Sequence, residues 1–398
     1  MTSDLRPLSV DDAEAAFALR AQAFNIPAGD RDRYLTRFRP DHHLGAFVDD
    51  RLIASLAVLP LGQWFGGRSV PMGGLASVAV APEHRSTGVA SRLMRLALSL
   101  MRDRGQVIST LYPATNVPYR RLGWELAGAR VRRRLPLRTL ADLPRPAVQV
   151  VAVDLDADLD RVQGVYDRVA TMTDGFIDRT GDRWQTILDH LTRHDHTYVY
   201  AALEDDGELD GYVAYRHEEP PPDADEFYRL RVIELVAGRG AAATALWRLL
   251  AANRGVSATV SWYGGLHEPL SFVVDEQDAR IEDDWHWMTR LVDVAGAVAA
   301  RGYPTDADVT VQLALVDEVA PWNGGRWVLD VRDGKGVLTP GGAGTVRTTV
   351  GALAPLYTGL TSPWALARVG LLEAATGDDL RALGRAFAGP SPWMLDFF

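Results

Sequence analysis

Residues 75 to 105, LASVAVAPEHRSTGVASRLMRLALSLMRDRG, constrain the fold of this chain most, because the hydrophobic period changes part-way along. Up to Val80 the apolar residues run as a strand. After Pro82 they fall at Val89, Leu93, Leu96, Ala97 and Leu100, the one-sided spacing of a helix that ends near Gly105. The loop between them, Arg85-Ser86-Thr87-Gly88-Val89-Ala90, presents successive backbone N–H groups at the positive end of that helix, an arrangement able to hold a diphosphate. Gly88 and Ala90 permit close approach to the backbone, where larger side chains would obstruct it.

The flanking sequence makes the first part mixed α and β. Ser9 or Asp11 caps a helix carrying Ala13, Ala16, Phe17, Ala21 and Phe24, and a second short helix begins around Asp30. Antiparallel strands turn at Asp49-Asp50 and at Gly66-Gly67. The strand QVISTLYP and the short helix VPYRRLG follow, and the proline-containing LRTLADLPRPAVQ closes a first domain, residues 1–145. A middle domain, 146–295, repeats the order in weaker form and ends with LRVIELVAGRGAAATALWRLLA, a degenerate strand-loop-helix. A third domain, 296–398, opens with DVTVQLALV, continues through the hairpin GRWVLDVRDGKGVLTP and finishes in helices, the last with Leu380, Leu383 and Phe387 on its apolar face.

Composition limits the function. A formal charge of −10 over 398 residues disfavours nucleic acid as a partner. The absence of cysteine removes disulfides, thiolate nucleophiles and thiolate metal sites. No apolar window is long enough for a membrane span, and the start lacks a basic-then-apolar signal, so a cytoplasmic protein without membrane contact is expected. His190 and His194 stand at i, i+4, but the HLTRHDH stretch reads as an exposed polar helix end and no metal is expected.

The string VAVAPEHRSTGVASRLM resembles the acetyl-coenzyme A signature of the GNAT acetyltransferases, [Q/R]-x-x-G-x-[G/A] after a V-x-V-x-P strand end. The resemblance implies that two parallel strands splay apart here. Val78, Ala79 and Val80 would then bond the pantetheine arm, and Arg85, Ser86, Thr87, Gly88, Val89, Ala90 and Ser91 would hold the diphosphate. In YPATNVPYRRLGWELAG, Tyr119 with Leu122-Gly123-Trp124 behind it matches the tyrosine near the acetyl sulfur, and Ala114, Thr115 and Asn116 line the passage of the thioester. Tyr112 is a poorer candidate because it lies in the apolar strand.

The chain ends SPWMLDFF, an apolar terminus whose burial is favourable by roughly 1.5 to 3 kcal/mol per large side chain and would carry the α-carboxylate inside with it. Two GNAT-like units, a last section of sterol-carrier-like topology and an aromatic terminus are similar to the enhanced intracellular survival (Eis) family of N-acetyltransferases. That resemblance implies an α+β fold with two tandem GNAT-like domains followed by a sterol-carrier-protein-like domain. It further implies Tyr119 as general acid, the Phe398 carboxylate as general base, acetyl-coenzyme A as co-substrate, polycationic acceptors such as aminoglycosides, and a homohexamer. Phe24, Asp30, Asp32 and Tyr34 border the acceptor site in such folds, and Asp396 would add negative charge for a cation. The middle copy lacks the signature spacing and is expected to serve as scaffold. The alternatives are a lysine or small-amine acetyltransferase, or a non-catalytic ligand-binding scaffold.

Overall fold

The computed structural model describes residues 3–192 and 196–398. The first stretch runs β1 (Asp4–Pro7), α1 (Ala13–Phe24), α2 (Arg31–Arg37), β2 (His43–Val48), β3 (Arg51–Phe65), β4 (Arg68–Val80), α3 (Val89–Asp103), β5 (Ile108–Leu111), α4 (Val117–Arg120) and β6 (Glu125–Pro136). Both early turns form where the sequence puts them. Asp49 and Asp50 (φ 48° and 59°) and Gly66 and Gly67 (φ 59° and 78°) take the paired positive φ of tight hairpins. At Gly66 a Cβ would also lie 2.2 Å from the Gly302 carbonyl oxygen, so this turn is pressed against the third section. Helix α3 buries Val89, Leu93, Met94, Ala97, Leu98 and Met101, with Leu96 and Leu100 half-buried at the margin.

The second stretch runs β7 (Gln149–Ala152), α5 (Leu155–Ala170), β8 (Ile177–Asp178), α6 (Arg183–Thr192), β9 (Thr197–Leu203), β10 (Leu209–Glu218), β11 (Arg229–Ala237), α7 (Gly240–Ala251), β12 (Thr259–Gly264) and β13 (Arg280–Leu291). Strands β11 and β12 pair in parallel only at Leu230↔Val260 and Arg231↔Ser261, just as β4 and β5 pair only over Met72–Gly74 and Ile108–Thr110. The repeat expected from sequence is therefore present in the topology. The two units are not separate sheets, however. The order is β1-β2-β3-β4-β5-β13-β6-β12-β11-β10-β9-β7, with β13 from the second unit inserted between β5 and β6 of the first.

The last stretch, α8 (Val294–Ala300), β14 (Val309–Val316), β15 (Gly325–Arg332), β16 (Lys335–Pro340), β17 (Val346–Thr349), α9 (Val350–Tyr357), α10 (Pro363–Arg368), β18 (Leu372–Ala374) and α11 (Gly377–Ala386), forms a second sheet in the order β16-β15-β14-β17-β18. Its core is continuous with that of the first sheet. Phe65, Val70, Met72, Ile108 and Trp287 share one cluster with Val311, Leu329, Leu353, Leu383 and Met394. The tail after α11 is thus held by a body that is itself packed on the first sheet.

Candidate active site

The expected cofactor residues sit where β4 and β5 part. Beyond Gly74, β4 continues to Val80 without β5 as a partner, and a bulge at Ser77 (φ 52°) opposite Leu56 turns the strand away. Val78, Ala79 and Val80 form this diverging end. A tight turn, Pro82–His84, leads into the loop, where the Thr87 hydroxyl donates to the His84 carbonyl (2.7 Å) and Ser86 and Gly88 adopt positive φ (63° and 80°). The first bond of α3 runs from the Arg92 amide to the Gly88 carbonyl (3.1 Å). The helix therefore leaves the amides of Val89, Ala90 and Ser91 for a ligand, at its positive end. Across the opening, Ala114 and Thr115 are exposed and Asn116 stands at the start of α4.

Tyr119 lies on α4 with its ring edge-on to Trp124 (6.5 Å between centroids), and its carbonyl accepts from the Leu122 and Trp124 amides (2.9 and 3.2 Å). Burial pushes its phenol pKa up, so it holds its proton at neutral pH. Tyr112, expected from the sequence to lie in the strand, stands just beyond it; β5 ends at Leu111, where its pairing with β13 stops. Its hydroxyl donates to the Asp396 carbonyl (3.0 Å), and its ring meets Phe397 at 4.8 Å and Phe398 at 6.2 Å. Tyr112 thus holds the chain terminus, and its proton is already given to a carbonyl.

The tail crosses β6 and comes to rest at the opening. The Trp393 amide donates to the Asp174 carbonyl (3.0 Å), Trp393 pairs with Ala129, and Met394 and Leu395 are buried. At the end, the Phe398 ring lies over Gly74, where a Cβ would come within 2.9 Å of it, at the last residue that β4 pairs with β5. Phe397, by contrast, is half exposed.

The structure corrects the role expected of Asp396. Its side chain is fully buried, accepting from Arg179 Nε (3.1 Å) and Arg183 Nη2 (2.7 Å), with the Tyr166 hydroxyl at 3.3 Å. Burial alone would raise its pKa, but the two guanidiniums outweigh that and hold it below the ordinary carboxylate range. Its charge anchors the tail and does not face an acceptor. The other expected acids are also engaged: Asp30 pairs with Arg33 (2.7 Å) and the outward-facing Asp32 with Arg31 (2.9 Å). Phe24 closes α1 half exposed, and Tyr34 packs between Phe17 and Phe38, its pKa pushed up to about 12 by burial.

Beside the terminus there is a cleft of about 280 Å³ lined by Phe397, Trp285, Arg130, Arg216, Arg231 and Tyr263. Apart from Phe397 in the apolar tail, none of these was singled out from sequence, since they come from strands far apart in the chain. His190 also lines it, and an ion pair between Arg37 and Asp189 ties α2 to α6 nearby. His194 lies outside the described residues. Among the described residues, no helix is long and apolar enough to cross a membrane.

Family models match three segments: residues 4–127 and 175–291 each match an acetyltransferase (GNAT) domain, and residues 294–395 match a sterol carrier protein domain. A GCN5-related N-acetyltransferase from Anabaena variabilis superposes with a TM-score of 0.92 at 30% identity, each chain covered completely. The chain belongs to the GCN5-related N-acetyltransferases. A second member, from Kribbella flavida, is 33% identical with a TM-score of 0.85, covering 100% of this chain and 99% of that one. The N-acetyltransferase Eis of Mycobacterium tuberculosis is 28% identical over 340 residues, 81% of this chain and 79% of that protein. The chain is thus an Eis-like N-acetyltransferase with two GNAT domains followed by a sterol-carrier-like domain, a fold that implies acetyl-coenzyme A as donor.

Proposed function

We propose that this N-acetyltransferase moves the acetyl group directly from acetyl-coenzyme A to a primary amine of a small molecule, with the Phe398 carboxylate as general base and Tyr119 as general acid. The diphosphate sits on the amides from Arg85 to Ser91, the pantetheine runs along Val78 to Val80, and the thioester reaches the opening beside Ala114, Thr115 and Asn116. The carboxylate takes a proton from the substrate ammonium, directly or through water. The freed nitrogen attacks the thioester carbonyl, the C–N bond forms as the C–S bond breaks, and Tyr119 protonates the departing thiolate. No covalent enzyme intermediate and no metal are required.

The seating of Phe398 over Gly74, where β4 and β5 part, carries this reading. Tyr112 is the wrong acid on these contacts, because its proton is committed to the Asp396 carbonyl. The divisions 1–145, 146–295 and 296–398 assign catalysis, scaffold and tail support in turn. A scaffold role for the middle domain is supported at the start of α7, where Arg239 is held by Asp210 (2.7 Å) and Glu204 (3.1 Å), two carboxylates where a diphosphate would need cations. The resemblance implies aminoglycosides as acceptors and a cytoplasmic hexamer. The burial of the Asp396 carboxylate against Arg179 and Arg183 takes one of the expected acids away from such a polycation, and light scattering reads the assembly.

Replacing Tyr119 by Phe keeps the ring packing and removes the proton. Turnover should fall roughly 100-fold or more, while the acetyl-coenzyme A affinity stays within about twofold. Steady-state kinetics indistinguishable from the parent would remove Tyr119 from the mechanism.

A further inference from the structure

The cleft beside Phe397 gathers positive charge from three strands. Arg216 on β10 and Arg231 on β11 are direct cross-strand partners, and both line it; Arg130 on β6 completes the set. Like charges placed directly opposite destabilise a sheet, so this pairing needs a compensating reason. The Arg130 and Arg231 guanidiniums also share one aromatic ring, lying 3.3 and 4.6 Å from the centroid of Tyr263. Arg231 is only 8% exposed, and burial pushes its pKa down. Its side chain donates to the Ser261 hydroxyl (3.3 Å), and Arg130 Nε donates to the Leu395 carbonyl (3.2 Å). Among the described residues, only Arg216 of the three has a carboxylate within ion-pairing distance, Glu218 at 2.8 Å. Arg231 is thus a nearly buried guanidinium whose direct partners are neutral, the Ser261 hydroxyl and Tyr263, with Glu218 acting on it from beyond ion-pair distance, and such a group is suited to take up an anion.

The position of the cleft says what the anion is attached to. Tyr112 touches Trp285 (6.3 Å), Phe397 (4.8 Å) and Phe398 (6.2 Å), so the aromatic wall of the cleft is continuous with the seat of the terminal residue. We infer that the acceptor is an amine that also bears an acidic group, a carboxylate or phosphate bound by Arg130, Arg216 and Arg231, with its apolar part against Trp285 and Phe397 and its amine directed to the Phe398 carboxylate. This rests on the acetyl-transfer reading above, and it replaces the polycation with an acceptor of opposite character. Guanidiniums suit such a group because they bond it through paired donors.

The test compares amines that differ only in the acid: phenylalanine with phenethylamine, and lysine with cadaverine, with kanamycin as the polycation, in a thiol-release assay. Within each pair the carboxylated amine should have at least about a tenfold higher kcat/KM, through KM, as expected for a charge-assisted hydrogen bond lost. Arg231→Met and the more exposed Arg216→Gln should each bring that ratio near one, with acetyl-coenzyme A still raising the melting temperature as proof of folding. Calorimetry with N-acetylphenylalanine supplies a readout without turnover, and either substitution should weaken its binding about tenfold. Cadaverine, phenethylamine or kanamycin used as well as the amino acids, or a preference that survives both substitutions, would overturn the inference. If no amine releases thiol, the acetyl-transfer reading fails, and the calorimetry alone decides the anion site: binding lost in both variants upholds it, and no binding to the parent rejects it.

Discussion

An Asp396→Asn protein should lose the seat of its terminus. The substitution leaves Arg179, whose side chain is completely buried, with Glu234 (2.6 Å) as its remaining carboxylate, and Arg183 with no acid from the tail. Breaking such a buried pair costs roughly 3 to 5 kcal/mol. Undocking the tail is the competing way to relax, and exposing the buried Met394 and Leu395 costs roughly 1.5 to 3 kcal/mol for each side chain, comparable with the broken pair, so a substantial fraction of the molecules releases the tail. A melting temperature lowered by several degrees, together with rapid removal of Phe398 by carboxypeptidase, is the expected outcome; an unchanged melting curve and a protected terminus would refute it. The pH dependence has a definite sign. Because the folded pKa lies below the ordinary 3.8, the contribution of Asp396 is complete above that value and disappears as pH falls through the lower folded one.

Gly88→Glu should abolish acetyl-coenzyme A binding. A Cβ at residue 88 meets nothing within 4 Å, so the effect does not come from a clash with the protein. Two others combine: the left-handed backbone (φ 80°) costs a non-glycine residue roughly 1 to 2 kcal/mol, and a carboxylate would stand beside the amides of Val89 to Ser91, where the diphosphate belongs. Gly88→Ala carries only the backbone cost and should retain weakened binding. A ligand at a hundred times its Kd stabilises by about 2.7 kcal/mol, which thermal denaturation resolves easily. The parent and Gly88→Ala should shift with acetyl-coenzyme A and Gly88→Glu should not; an equal shift in all three would take the diphosphate off this loop.

Local chemistry explains which parts of this site could be read before the structure. The Arg85 to Ser91 loop, the hairpin turns at Asp49-Asp50 and Gly66-Gly67, and the Leu122-Gly123-Trp124 turn each lie within a few consecutive residues whose conformations their own side chains dictate. The insertion of β13 between β5 and β6 was not legible, because nothing in residues 280–291 says that Met288 will face Leu111 and Trp285 will face Arg130. Asp396 misled for a related reason. In SPWMLDFF an acid among aromatics looks free to act, and only the fold brings Arg179 and Arg183, more than 200 residues earlier, to its two oxygens. The arginine cleft depends on the same kind of distant register, since the pairing of Arg216 with Arg231 appears only once β10 and β11 are aligned.

The central proposal is that the carboxylate of Phe398, the residue whose ring the docked tail seats over Gly74, is the base of the reaction. One glycine appended after Phe398 tests it most directly, because it converts that carboxylate to a neutral amide and moves the new charge about 3.8 Å along the chain while leaving the Asp396 anchor intact. Turnover measured at saturating acetyl-coenzyme A should fall roughly 100-fold or more, with cofactor affinity and melting temperature unchanged. An extended protein that turns over as fast as the parent would contradict the account.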